Sequence, residues 1–359
     1  GGTDWNGDGI RLDPPSDAAA SIYVEHNRIE VGPEMSKGNN DISTCDHGYR
    51  TDHGDTWILG APDRVTIAYN CLYGHGKMYV EGIGVLIDHN SFQGIWGPIE
   101  VRGAKDVVIS NNEMLNQVDI GIFAWSPKTA SGKGVCTDLQ ITGNTIQGMQ
   151  LDPQNFTDEG TAIVLGGVTN ATVSGNNLTG NASYGVVIAG IGYDHFYPED
   201  IGWGGGLDVG YNPVNNVLEH NNISGNVVAG VINKTTVMVN AENNWWGDAS
   251  GPLDTNGTSE CPPCNSNAAL DKNLDGAGNV VSEYVDYCPW LGAPPPEAGT
   301  LLYLDPVLGS VPNDHTTTKT YTVRIANVAN MYGYQFVVSF DPAKLECTAA
   351  AFDGTFFPI

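Results

Sequence analysis

Residues 65–72 read Val65-Thr-Ile67-Ala-Tyr-Asn70-Cys-Leu72, an apolar-x-apolar-x-x-Asn-x-apolar pattern. The same pattern recurs over the first 250 residues of the chain. Its asparagines are Asn27, Asn70, Asn90, Asn112, Asn144, Asn176, Asn221 and, in a shifted last copy, Asn243. The shortest separations between them are 20 to 22 residues, a period that is typical of solenoid architectures.

A second short apolar segment lies between the asparagine motifs, as in residues 98–101 and 161–165. Such short segments with period-two alternation, bounded by Gly and Asn, predict strands and exclude helices. A repeat that holds two or three of these strands predicts one coil of a parallel β-helix. Because coils stack at roughly 4.8 Å, we expect aliphatic residues to stack inward. We also expect the asparagines to bond their neighbours and to adopt the left-handed backbone of a sharp corner.

On these residues, the chain resembles right-handed parallel β-helix proteins of the pectate-lyase-like superfamily with tandem β-helix repeats. The resemblance covers about residues 1–250. It extends to residues 243–252 (Asn-Asn-Trp-Trp-Gly-Asp-Ala-Ser-Gly-Pro) and 285–291, which are similar to the closing segment of such helices in secreted bacterial and archaeal surface proteins. We expect Trp245 and Trp246 to plug the last coil and residues 251–292 to form an irregular closing segment with cysteines.

The last part of the chain has a different composition. Residues 293–299 form a stiff Pro-rich linker. Residues 300–359 contain alternating strand-like segments that predict an antiparallel β-sandwich, and residues 332–345 resemble cohesin-like modules. We expect this sandwich to be incomplete here. The predicted fold class is therefore all-β, a right-handed parallel β-helix followed by a partial antiparallel β-sandwich.

The charge balance restricts the possible partners. The 359 residues include 41 Asp and Glu but only 15 Lys and Arg, giving a formal net charge of −26. Nucleic-acid binding is disfavoured because phosphate contacts need clustered basic residues. The sequence contains no apolar run long enough to predict a transmembrane segment.

Cysteines and glycosylation sequons together favour an extracellular protein at the cell surface. The chain has seven cysteines, so one is expected to be free or bonded to another chain. The Asn-x-Ser/Thr sequons are at Asn155, Asn170, Asn177, Asn181, Asn222, Asn233 and Asn256. Cys261, Cys264 and Cys288 fit disulfides that staple the closing segment better than they fit a zinc site, which would need a fourth ligand.

Two short loops follow the D-x-N-x-D-G start of a calcium-binding loop. Their candidate ligands are Asp4, Asn6 and Asp8 in the first loop, and Asp271, Asn273 and Asp275 in the second. Neither loop has a glutamate at the twelfth position, and an ordinary polar turn is the alternative. Calcium is nevertheless the one cofactor that the sequence predicts.

Catalytic candidates rest on a partial resemblance to pectate lyases. The run Leu86-Ile-Asp88-His89 is similar to a motif of those enzymes, although Asp-His-Asn also suits the corner of a coil. The Arg-x-Pro-x-x-Arg run that the resemblance implies is absent, and Arg102 is the nearest arginine. The sequence thus favours a protein that is not an enzyme. If it is one, a polysaccharide lyase or a glycoside hydrolase is expected.

Two functional hypotheses follow from the sequence. The first is a structural protein that assembles with copies of itself into a surface layer, sheath or filament through many lateral contacts. The second is a protein that binds or degrades a cell-surface polysaccharide. It rests on the superfamily resemblance and on the Gly- and aromatic-rich insertion at residues 190–211, which alternatively packs on the flank of the helix. Because a fold alone does not define a function, we expect the first.

Overall fold

The computed structural model describes residues 10–12, 22–25, 28–30, 56–58, 65–73, 78–93, 97–128, 134–151, 157–193, 209–256, 259–260, 271–295, 301–305 and 322–326. In these ranges every regular element is a β-strand. Three long parallel sheets, here called A, B and C, contain most of the strands.

Sheet A has eight strands: Ile10–Leu12 (β1), Thr56–Ile58 (β4), Met78–Val80 (β7), Ile99–Arg102 (β10), Ile120–Trp125 (β13), Thr161–Gly166 (β16), Tyr184–Ala189 (β19) and Ala229–Asn233 (β22). Sheet B has nine: Ile22–Glu25 (β2), Val65–Ala68 (β5), Leu86–Asp88 (β8), Val108–Ser110 (β11), Gln140–Thr142 (β14), Thr172–Ser174 (β17), Val217–Glu219 (β20), Val239–Asn240 (β23) and Val285–Asp286 (β28). Sheet C has seven: Arg28–Glu30 (β3), Cys71–Tyr73 (β6), Ser91–Gln93 (β9), Glu113–Leu115 (β12), Thr145–Gln147 (β15), Asn177–Thr179 (β18) and Asn222–Ser224 (β21).

Three pairs of strands stand apart from these sheets. Pro252–Leu253 (β24) pairs in parallel with Gly278–Val280 (β27), and Ser259–Glu260 (β25) pairs in parallel with Asp271–Lys272 (β26). Leu301–Asp305 (β29) pairs antiparallel with Thr322–Ala326 (β30).

Each of the first seven coils contributes one strand to sheet A, one to sheet B and one to sheet C, and the eighth contributes β22 and β23. Equivalent residues pair in register, as Ile109 does with Ile87 and Ile141. Apolar residues at alternate positions point inward and form a continuous core along the helix. Each buried aliphatic side chain contributes about 1.5–3 kcal/mol relative to an exposed one, so the stacks stabilise every coil against its neighbours. The predicted parallel β-helix is confirmed.

An asparagine ladder follows the corner between sheets B and C. Its members are Asn70, Asn90, Asn112, Asn144, Asn176, Asn221 and Asn244, all at most 2% exposed. Each side-chain amide donates to the Oδ1 of the next asparagine at 2.9–3.0 Å. In each pair, the backbone N–H of the donating asparagine donates to that same oxygen as well. The last member is Asn244 and not the predicted Asn243, and Asn27 lies outside the described residues.

The sharp turn is made one residue earlier than expected. The residues before the ladder asparagines have positive φ, among them Tyr69 (56°), His89 (53°), His220 (56°) and Asn243 (58°). The expectation that the ladder asparagine itself adopts the left-handed conformation is therefore wrong. The preceding residue adopts the left-handed conformation that the turn requires. The asparagine side chain can therefore point into the core and form hydrogen bonds with the asparagines of the neighbouring coils.

The β-helix continues beyond the predicted boundary at residue 250. Strand β28 is the ninth strand of sheet B, and Val281 bridges Val231 at the open edge of sheet A. Asn233 N–H donates to Ser282 Oγ at 2.7 Å on the same edge. Residues 251–292 are thus not wholly irregular, because part of this segment closes the sheets.

Trp246, one of the two tryptophans predicted to plug the last coil, occupies the end of the core. Trp246 is fully buried in the main core cluster, whereas Trp245 is half-buried. Tyr287 and Trp290 pack beyond Trp246, with their ring centroids 6.2 Å apart. Trp290 lies directly against Gly251, where any Cβ atom would approach the indole to 2.5 Å.

The chain divides into two compact units, Gly1–Gly299 and Thr300–Ile359. This division coincides with the end of the predicted Pro-rich linker. In the second unit, β29 and β30 form an antiparallel pair, and the cohesin-like sandwich stays a prediction. Among the described residues, no helix has the length and apolar character needed to cross a membrane.

We predict that Asn144→Ala strongly destabilises the helix. The substitution removes the acceptor for two N–H groups of Asn112 and leaves the carbonyl of Ile109 without this donor. Unsatisfied buried polar groups cost about 1–3 kcal/mol each, so the free energy of unfolding should fall by roughly 3 kcal/mol. Urea unfolding followed by circular dichroism measures this change. The exposed Asn256→Ala is the matched control, and equal stabilities of the two variants would contradict a structural ladder.

Candidate functional site

The outer face of sheet A carries a set of aromatic and charged side chains outside the main core cluster. Tyr79, Glu100 and Phe123 pair in register across β7, β10 and β13. Two residues further along the same strands, Arg102 pairs with Trp125. Since side chains alternate along a strand, these residues point away from the core.

Arg102 is held in a closed cluster on this face. Its Nε donates to Glu100 Oε1 at 2.5 Å, and Trp125 Nε1 donates to the same oxygen at 3.0 Å. Its guanidinium lies 4.4 Å from the ring centroid of Tyr79, and its Nη1 lies 3.9 Å from Glu81 Oε1. Arg102 is 8% exposed and Glu100 is fully buried. A guanidinium bound to a carboxylate and stacked on a tyrosine is fixed as a cation, so this arrangement gives Arg102 a structural role and does not support a general base.

The middle of the face is apolar and covered by the end of the 190–211 insertion. Val164 and Val187 lie in a second hydrophobic cluster with Val209, which is fully buried. A Cβ at Gly166 would lie 2.7 Å from Val209, and one at Gly167 would lie 2.5 Å from the Tyr211 carbonyl oxygen. The two glycines therefore make the slot in which the returning chain lies. The described ends of the insertion pack on the flank of the helix, and residues 194–208 lie outside the described part.

An open cluster lies on the same face, toward the last strands of sheet A. Lys234 Nζ donates to both carboxylate oxygens of Asp158, at 2.7 and 2.6 Å, and Tyr193 donates its hydroxyl to Asp158 Oδ2 at 2.8 Å. The ammonium lies 5.3 Å from the ring centroid of Tyr193. The Lys234 side chain is 34% exposed, whereas that of Asp158 is 5% exposed. This cluster thus presents a cation to solvent above a nearly buried carboxylate.

Two tyrosine rings border the ion pair. Tyr184 and Tyr193 are both partly buried against the second hydrophobic cluster. Burial raises the pKa of Tyr184, and the nearby negative charge of Asp158 raises it further. The phenol therefore stays neutral and can donate a hydrogen bond. Rigid aromatic surfaces beside a few fixed polar groups are the usual composition of a small-molecule or sugar site.

Asp88 and His89 form a separate group at the corner between sheets B and C. His89 Nδ1 lies 2.6 Å from Asp88 Oδ2, while Ser110 Oγ and Asn111 Nδ2 donate to Asp88 Oδ1 at 2.6 and 3.0 Å. The His89 ring stacks on Tyr69 of the preceding coil, with ring centroids 4.8 Å apart. Because the serine donates to the aspartate and not to the histidine, this is not a nucleophile–base relay.

The sequence-predicted catalytic residues do not form one site. Arg102 lies on the outer face of sheet A, whereas Asp88 ends a strand of sheet B and His89 makes the following corner. The structure therefore does not bring these three candidates together. Burial opposes ionisation of Asp88, but the hydrogen bonds from His89, Ser110 and Asn111 outweigh it and hold the pKa of this carboxyl below its ordinary value.

The predicted calcium loops remain predictions. Asp4, Asn6 and Asp8 lie outside the described residues, as does the side chain of Asp271. Asn273 is 5% exposed, and its amide donates to the carbonyls of Ser250 and Pro252 at 2.8 and 2.9 Å, so it ties the closing segment together. Asp275 is exposed. The described residues contain no group of three or more His, Cys, Asp and Glu side chains that could hold a metal ion.

The described cysteines bear on two earlier alternatives, a zinc site that includes Cys288 and a free thiol that bonds another chain. Cys288 is disulfide-bonded, which excludes it as a zinc ligand, while Cys261 and Cys264 lie outside the described residues. Cys136 is a free cysteine that is fully buried, and burial raises the pKa of its thiol to about 12. This free thiol is therefore not available for a bond to another chain.

Two of the predicted glycosylation sites need correction. Asn181 is fully buried, and its amide donates to Asn226 Oδ1 at 2.8 Å in a second asparagine stack. Asn233 is 8% exposed, and its amide donates to the carbonyls of Val237 and Tyr284. A glycan on either side chain would break these contacts, so both sites are wrong for the folded chain. The remaining described sequons, which are at least partly exposed, are at Asn170, Asn177, Asn222 and Asn256. Asn155 lies outside the described residues.

Comparison with known families agrees with this geometry. The family described as Right handed beta helix region matches residues 38–197. A search of curated proteins finds no match. Parallel β-crossovers are right-handed in nearly all proteins, and the chain is accordingly an all-β protein built on a right-handed parallel β-helix.

The sequence reasoning missed the open cluster almost completely. It noted Tyr193 within the aromatic insertion, but Asp158 and Lys234 are 76 residues apart and belong to no motif. Asp158 precedes β16, while Tyr193 and Lys234 follow β19 and β22, so all three lie in loops that flank strands of sheet A. Which of these loops meet depends on loop lengths that the asparagine spacing alone does not assign.

We predict that Asp88→Asn removes part of the pH dependence of stability. Since the pKa of Asp88 is lower in the folded than in the unfolded chain, its contribution is present above the unfolded value of about 4 and is lost as the pH falls through the folded value. The unaltered protein should lose stability between about pH 5 and pH 3 more steeply than the variant. Urea unfolding at a series of pH values measures the slopes, with the exposed Asp106→Asn as the control. Identical slopes for the protein and Asp88→Asn would show that the prediction is wrong.

Proposed function

We propose that this chain is an extracellular protein whose β-helix binds a polysaccharide along the outer face of sheet A. One observation carries the proposal, namely the open cluster in which two tyrosine rings border the Asp158–Lys234 ion pair. Sugars are recognised by aromatic rings that contact their C–H faces and by charged groups that bind their hydroxyls. The sequence resemblance to pectate-lyase-like proteins supports the same class of ligand.

A binding role fits the face better than the lyase chemistry that the resemblance implies. Arg102 is paired with Glu100 and stacked on Tyr79. Asp88 and His89 lie on other elements. We therefore propose binding without cleavage, and we regard the second unit, Thr300–Ile359, as related to cohesin-like modules.

We predict that Tyr184→Ala and Tyr193→Ala each weaken polysaccharide binding. Loss of a ring contact of about 1.5 kcal/mol corresponds to roughly tenfold weaker binding. Affinity electrophoresis in gels that contain soluble polysaccharides measures the change, and circular dichroism verifies the fold. Leu274→Ala is the control, because this side chain is 52% exposed and lies in the loop after β26. Unchanged migration of both tyrosine variants in gels that retard the parent protein would contradict the site.

Self-assembly through lateral contacts is a second candidate function. Leu151 is 58% exposed, and the adjacent Val227 and Val228, two coils further along the same corner, are 75% and 51% exposed, which is unusual for such apolar residues. The edges of sheets A and B at the end of the helix are occupied by residues 281–286. We place the contact between copies on the side of the helix, where these apolar side chains lie exposed.

We predict that Val227→Lys reduces lateral association if this corner is the contact. A charge at a position that is 75% exposed is tolerated by the fold but disfavours apolar contact with another copy. Sedimentation and electron microscopy of the protein and the variant measure association. A variant that assembles as fully as the parent, or a parent that stays monomeric at all concentrations, would exclude this corner as the contact.

A further inference from the structure

We propose that the open cluster selects a neutral polysaccharide with a free vicinal diol, and that it discriminates against polyuronates and sulfated chains. This inference rests on the proposed function, since it names the class of ligand for the same site. It follows from the hydrogen-bonding capacity that remains at the Asp158–Lys234 pair.

Two described cations of this face, Lys234 and Arg102, are already bound by carboxylates of the protein. Lys234 is bound by both oxygens of Asp158, and Arg102 is bound by Glu100 and lies near Glu81. A uronate carboxylate that took Lys234 would leave Asp158, whose side chain is 5% exposed, without its counter-ion. Leaving this nearly buried carboxylate without its counter-ion is unfavourable.

The charge of the whole chain acts in the same direction. A formal net charge of −26 repels a polyanion, and the repulsion is strongest at low ionic strength. A neutral chain pays no such cost. Its binding should therefore change little with salt concentration, whereas polyanion binding would depend steeply on it.

The pair retains one donor beside one acceptor. An ammonium has three N–H donors, and Lys234 uses two of them on Asp158. A carboxylate has about four accepting directions, and three are taken by Lys234 and the Tyr193 hydroxyl, which leaves one on Oδ1. An adjacent donor and acceptor match two neighbouring hydroxyls, of which one accepts from Lys234 and the other donates to Asp158.

The rings of Tyr184 and Tyr193 complete this match. Both side chains lie beside the pair and remain partly exposed. A pyranose that places its diol on the ion pair can rest a C–H face on a tyrosine ring. A sugar with one apolar face and a free diol thus satisfies the polar and the aromatic parts of the cluster together.

Isothermal titration calorimetry of the full chain tests the inference with four soluble polymers. A β-1,4-glucomannan is neutral and keeps the C2–C3 diol, whereas a β-1,3-glucan is neutral but has no internal vicinal diol. Polygalacturonate, with and without Ca²⁺, and dextran sulfate are the polyanions. We expect glucomannan to bind at low and high salt with similar affinity and the other three to bind at least about tenfold more weakly.

Variants separate the cluster from the rest of the surface. The double variant Asp158→Asn/Lys234→Gln removes both charges together, so no unpaired buried charge is left to unfold the chain. We expect it to lose about tenfold in affinity for glucomannan. Lys105→Gln, on an exposed corner, should bind as the parent does.

The outcomes distinguish the two proposals. If no polymer binds, the proposed function and this inference both fail. If polygalacturonate or dextran sulfate binds more tightly than glucomannan, the function stands and neutral selectivity is overturned. If the β-1,3-glucan binds as well as glucomannan, or the double variant binds as the parent does, recognition of a diol at this pair is overturned.

Discussion

The register between neighbouring coils is the constraint on which the rest of the structure depends. The asparagine ladder sets this register because each member bonds the next through both its backbone N–H and its side-chain amide. These bonds are buried, so a coil that slipped by one residue would leave polar groups unsatisfied and turn its aliphatic side chains outward. With the register fixed, every outward column of side chains on sheets A, B and C is fixed as well.

The outer face of sheet A shows how that regularity is used. In its first half, Glu100 and Trp125 bind Arg102 in a closed cluster that excludes solvent. In its second half, Gly166 and Gly167 let the returning insertion lie close to the sheet, and the ion pair of Lys234 stays open beyond it. One continuous sheet thus carries the closed Arg102 cluster and the open Asp158–Lys234 cluster. The two clusters contain similar types of side chain and differ mainly in their exposure to solvent.

The sequence predicted the β-helix because its information is local and repeated. The position of the asparagine in each motif identified the corner, the stacking and the buried aliphatic faces. The sequence analysis misplaced the left-handed residue by one position, because it assigned that conformation to the asparagine. His89 and His220 show that other residue types adopt it at the preceding position. It did not predict the pairing of Asp158 with Lys234, because that pairing depends on which coils lie beside each other. Nor did it predict the burial of Asn181, because sequons carry no information on exposure.

The ladder also has a consequence for how such a chain can change over evolutionary time. Bonded partners in the ladder are separated by 20, 22, 23, 32 or 45 residues, yet their hydrogen bonds have nearly the same length. The cost of closing a loop grows only slowly with its length. Insertions between coils therefore leave the rod intact, and new surfaces can be added to one side without redesigning the core. The insertion at residues 190–211 is one such addition, and its returning end places Val209 in the slot formed by Gly166 and Gly167.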